Sequence, residues 1–172
     1  MEKKYELTDE ILEVGGRVLH RINALRDFGN IKQGEIGGWI ENEDNLSHCG
    51  DCWVYGNAEV LGDAEVFGDA EVYGEARVCG EARVYGDAEV YGEARVCNNA
   101  VIKNMSDYIV FKNWWSSGRY FTWTRSNGMW SVGCFYGTGE ELIKKAYNDS
   151  DESGREYERI VKYVESIKQE FK

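Results

Sequence analysis

Proline is absent from the 172 residues, and with it any Pro-built linker between segments. No long apolar run occurs, and the N-terminus does not pass from charged to apolar, so neither a membrane span nor a signal peptide is expected. Histidine is scarce: His20 and His48 are the two imidazoles available to any acid–base chemistry. The glycines of the central region come singly, each in a turn, so no Gly-rich phosphate-binding loop is read there. Five cysteines without framework spacing suit a reducing cytoplasm. Cys49 and Cys52 form a CxxC, but no second pair completes a metal site, so neither a metal nor a cofactor is expected.

What the chain has in excess is negative charge, −11 in all, and it is unevenly placed. Residues 54–97 hold ten acids and three arginines, and residues 1–53 hold eleven acids and six bases. Residues 106–172 hold ten of each. The acidity of the first two thirds argues against duplex nucleic acid as a direct ligand.

The dominant pattern is a repeat. Val54, Val60, Val66, Val72, Val78, Val84, Val90, Val96 and Ile102 recur every six residues, each with Cys52 or an alanine two positions earlier. Ala and Val then point one way and their neighbours the other, which is strand alternation. The following Gly-acid pair supplies a turn. A short strand and a tight turn repeated at a fixed period wind into a β-helix. Ile40 and Leu46 hold the same phase, and the eight residues from Leu46 to Val54 imply a two-residue bulge around His48–Asp51.

These units resemble the hexapeptide-repeat, left-handed parallel β-helix family, in which an aliphatic residue is followed four places later by a small one. The resemblance implies triangular coils of three units and a left-handed winding. The flanks resemble the small hexapeptide proteins of phage and prophage genomes. The carriers are Arg21–Gly29, Gly37-Gly38-Trp39-Ile40-Glu41, Asn45-Leu46-Ser47, Gly133–Thr138 and Glu140-Glu141-Leu142. That likeness implies a mobile-element origin and brings no settled activity. The wider family is known for acyltransferases, usually trimers with active sites between subunits and a histidine as general base. His48, at the bulge, is the weak candidate for that base; His20 lies outside the repeats, and no loop interrupts them to arch over a donor.

The expected organisation is mainly β: an N-terminal β cap (1–35), the hexapeptide β-helix (36–105) and a small α+β unit (106–172). The cap is a hairpin turning at Gly15-Gly16. The last unit carries three strands, Asp107–Trp115, Arg119–Arg125 and Met129–Phe135, then two helices. One helix opens at a Thr138–Glu141 capping box and the other at Ser153–Glu156, with Tyr157, Ile160, Val161, Val164, Ile167 and Phe171 on one face.

Folded into coils, the repeat gives three outer faces. The first is acidic and aromatic: Trp53, Glu71 and Glu89 beside Tyr55, Tyr73 and Tyr91. The second carries Glu59, Arg77 and Arg95 beside Leu61, Cys79 and Cys97, and is the expected self-association seam of a homo-oligomer, dimer or trimer. Stacked Cys79 and Cys97 would lie about 4.8 Å apart, close enough for a disulfide, although two reduced thiols are expected. In the last unit, Trp115, Arg119 and Arg125 are candidates for stacking a base and holding a phosphate, against the alternative that the aromatics form its core.

The leading expectation is a cytoplasmic, non-catalytic binding protein that uses the first face to occupy a basic surface on a host defence or nucleic-acid-handling protein. A sponge sequestering a nucleotide signal and a hexapeptide acyltransferase are the alternatives.

Overall fold

The computed structural model describes residues 2–170 and separates into two compact units, one ending at Met105 and one beginning at Ser106. In the first unit, the Ala-x-Val pattern yields nine two-residue strands: β4 (Trp53–Val54), β5 (Glu59–Val60), β6 (Glu65–Val66), β7 (Glu71–Val72), β8 (Arg77–Val78), β9 (Arg83–Val84), β10 (Glu89–Val90), β11 (Arg95–Val96) and β12 (Val101–Ile102). They stack in parallel as three sheets, so the chain is a β-solenoid. Every interior Val and Ala of the repeat is 0–1% exposed. Each valine so buried contributes about 1.5–3 kcal/mol, and the two-residue alternation leaves it no outward option.

Register shows where the repeat slips. Val54 pairs with Val72, an offset of eighteen, whereas Ile40 pairs with Val60 and Leu46 with Val66, offsets of twenty. The two extra residues turn out at 48–51, where Gly50 has φ +71° and a Cβ would stand 2.2 Å from the Gly68 carbonyl oxygen.

The N-terminal strands β1 (Tyr5–Val14) and β2 (Arg17–Ala24) form the hairpin, and β3 (Ile36–Ile40) joins β2 to the solenoid. The resulting sheet runs β1-β2-β3-β5-β8-β11. The hairpin thus closes the end of the solenoid and also prolongs one of its faces. Tyr5, Ile22, Phe28 and Trp53 fill the end, all buried.

The second unit is an antiparallel meander of β13 (Tyr108–Lys112), β14 (Tyr120–Thr124), β15 (Met129–Val132) and β16 (Phe135–Gly137), followed by α1 (Gly139–Asp149) and α2 (Asp151–Ile167). There are four strands, not three, because Phe135–Gly137 turns back to pair with β15. The Thr138–Glu141 capping box forms. The second helix starts earlier than its Ser153 box implies. Ser150 caps it by accepting the Ser153 N–H, leaving Ser153 in the first turn. Phe121, Trp123, Trp130, Leu142, Tyr157, Val161 and Val164 form one core; Phe171 lies outside the described residues. No helix among the described residues is long and apolar enough to cross a membrane.

Candidate functional site

The first solenoid face carries a tyrosine–carboxylate ladder. Tyr55 donates to Glu71 at 2.8 Å and Tyr73 to Glu89 at 2.7 Å. Glu71 and Glu89 are register neighbours, so the two phenols offset a like-charge contact. Burial, then the Glu71 carboxylate, pushes the Tyr55 hydroxyl well above the usual phenol range. Tyr73 and Tyr91 stack at 5.1 Å, with Tyr91 exposed at the end of the row. Trp53 does not belong to this surface. It is fully buried, with Phe28 at 5.3 Å and Tyr5 at 6.1 Å, because the cap folds over the first coil.

On the second face one residue of the expected seam is covered, while Cys79 and Cys97 remain half-buried. Leu61 is 8% exposed and packs against Leu19 and Trp39 from the hairpin side. Cys79 and Cys97 are a disulfide rather than two thiols, since the stacked coils bring their Cα atoms to 4.5 Å. Glu59 and Arg77 pair at 2.6 Å. The third face pairs Arg83 with Glu65 at 3.1 Å and stacks Phe67 on Tyr85 at 4.9 Å. Arginine therefore answers carboxylate on faces two and three, and tyrosine does so on face one.

His48 lines a cleft of about 430 Å³ at the bulged corner, together with Ser47, Phe67 and Arg83. Its ring is committed, however. Nδ1 accepts the Lys4 backbone N–H at 3.3 Å, which places the neutral ring's proton on Nε2, and buried Nε2 faces Glu43 at 3.6 Å. Tyr5 stacks on the same ring at 4.3 Å. No lone pair remains for a substrate proton, so His48 holds the cap to the corner.

His20 has the opposite arrangement. Its Nδ1 lies 3.1 Å from the Thr8 carbonyl oxygen, which only accepts, so Nδ1 carries the proton and Nε2 the lone pair. Among the described residues Nε2 of His20 makes no hydrogen bond. The repeat pattern carried no signal for this imidazole, because its orientation is set by strand β1.

In the second unit Trp115 is half-buried and packs against the core. Its indole N–H donates to Ser153 at 3.3 Å and its ring meets Tyr157 edge-on at 4.9 Å. Arg125 lies 3.8 Å from Asp107. Arg119 is exposed and lines a hollow of about 590 Å³ between the β15–β16 turn and α1. The structure therefore does not gather Trp115, Arg119 and Arg125 into one site.

No family model matches the chain. The chain is 36% identical over 61 residues to a protein of Escherichia coli (strain K12) named the uncharacterized acetyltransferase YdcK, a match covering 31% of this chain and 19% of that protein. The chain thus matches about a fifth of the length of this curated relative. The partial likeness and the β-solenoid together fit a hexapeptide-repeat β-helix.

Proposed function

We propose that the chain transfers an acyl group from a thioester donor to a hydroxyl or amine, with His20 as general base. The observation that carries this reading is the 36% likeness to a named acetyltransferase. The tautomer of His20 supports the choice of base. In the proposed step Nε2 takes the acceptor's proton as its oxygen or nitrogen attacks the thioester carbonyl. The carbon–sulfur bond then breaks, and the departing thiolate recovers the proton. A second copy of the chain in a homo-oligomer would complete the site. The test is thiol release from acetyl-coenzyme A with sugar and amine acceptors. Wild type should turn over, and His20→Ala should lose about 100-fold or more. His48→Ala should lose stability before chemistry. Release unchanged by His20→Ala, or absent from the folded wild type, counts against the reading.

A second reading is favoured by the tyrosine–carboxylate ladder: a non-catalytic protein of mobile-element type that presents face one to a basic surface on a host protein and inhibits it. Here Glu71→Lys with Glu89→Lys should abolish capture of the partner while leaving the solenoid folded. Capture that survives both substitutions would exclude this face.

A further inference from the structure

The hollow of the second unit is built like a ligand site. One stripe of α1 supplies Leu142, Lys145, Ala146 and Asp149, at spacings of three, four and seven residues on a single helical face. The β15–β16 hairpin supplies the opposing wall with Phe135, and the ring of Tyr157 belongs to the lining as well. Its volume of about 590 Å³ falls in the range of small-molecule sites.

Two cations line this hollow, Arg119 and Lys145. Among the described residues, neither side chain makes an ion pair or a hydrogen bond. Other cations of the chain do meet carboxylates, as in Arg77–Glu59 and Lys162–Glu158. One carboxylate, Asp149, shares the lining, so the local balance is a single positive charge. That balance suits a monoanion better than a polyphosphate. The apolar side chains call for a hydrophobic body behind the charge, and the Arg119 guanidinium offers a fork that a carboxylate accepts in bidentate fashion.

We infer that this hollow binds a small amphipathic carboxylate, an aromatic or short-chain acyl monoanion, with Arg119 and Lys145 holding its head group. The site lies wholly in the second unit and is independent of the acyl-transfer proposal. The experiment titrates 15N-labelled full-length chain with 2-naphthoate and, separately, with its neutral isostere 2-naphthalenemethanol. Naphthoate should move the amide signals of Gly133, Cys134 and the Leu142–Asp149 turns, and the neutral analogue should bind at least about tenfold more weakly. Arg119→Gln and Lys145→Gln should each weaken binding about fivefold, while Asp149→Asn should tighten it by removing repulsion. The altered residues are exposed, and a far-ultraviolet spectrum and thermal melt of each variant check that it remains folded. Equal affinity for the neutral analogue, no effect of Arg119→Gln, or no localised shifts at millimolar naphthoate would overturn the assignment.

Discussion

The Lys4 ammonium, fully buried, lies 2.7 Å from the Cys52 carbonyl oxygen and 3.2 Å from the Cys52 sulfur. It also donates to the Gly50 carbonyl at 3.2 Å and stands 4.9 Å from the Phe28 ring centroid. Burial draws the Lys4 ammonium below the usual lysine range and pushes the Cys52 thiol up. The Lys4 side chain thus ties the segment before β1 to the first coil. Lys4→Ala leaves those carbonyls without their donor and opens a cavity, so it should cost about 3 kcal/mol. Lys4→Met keeps the volume and removes the buried charge, so it should recover at least half of that loss. Urea unfolding of the two variants checks the order.

Tyr5 donates to the Leu46 carbonyl at 2.7 Å and to the Glu43 carbonyl at 3.1 Å, and burial raises its hydroxyl above the usual phenol range. A raised native pKa means that the folded state keeps a proton the unfolded chain gives up near pH 10. The stability Tyr5 contributes is therefore complete below pH 10 and declines as pH rises through its native pKa. Wild type should exceed Tyr5→Phe by about 1–2 kcal/mol at neutral pH, and the gap should shrink in the alkaline limb. Chemical denaturation of both proteins across that range measures the gap directly.

The repeat turns differ in their tolerance of a methyl group. At Gly50 a Cβ would meet the Gly68 carbonyl oxygen at 2.2 Å, while at Gly56, with φ +56°, nothing lies within 4 Å. Gly56→Ala should therefore cost only the left-handed backbone penalty, about 1–2 kcal/mol. Gly50→Ala carries the same penalty plus displacement of a neighbouring coil, so it should melt clearly lower. Equal melting of the two variants would contradict the close stacking at the bulge.

The Cys79–Cys97 bridge closes an eighteen-residue loop, one coil of the solenoid. Loop-closure entropy assigns such a bridge about 3 kcal/mol. Reduction should lower the unfolding free energy by that amount, and the Cys79→Ala/Cys97→Ala double variant should match the reduced protein.

Much of the fold is legible in the sequence because interior and exterior alternate strictly. The Val–Ala period fixes the solenoid, and the eight-residue gap between Leu46 and Val54 reports the bulge that the offset pairing of Ile40 and Val60 displays. What escaped the pattern depends on distant partners. Trp53 reads as an outward face residue until Tyr5 and Phe28 arrive from the cap to cover it. Leu61 reads as a seam until Leu19 packs on it. The Ser153–Glu156 pattern points three residues too late for the start of α2, because Ser150 accepts the Ser153 N–H and caps the helix there. The roles of the two histidines were illegible for a similar reason. A strand carbonyl at Thr8 and a backbone N–H at Lys4 decide them, and neither belongs to a motif.

That division between the histidines is open to direct measurement by long-range 1H–15N correlation spectroscopy at a pH where both rings are neutral. His20 should report the Nδ1–H tautomer, with Nε2 resonating as an unprotonated nitrogen. His48 should report the reverse, with the proton on Nε2 and Nδ1 accepting the Lys4 N–H. A His20 ring protonated at Nε2 would contradict the account, because no lone pair would then be presented for an acceptor's proton.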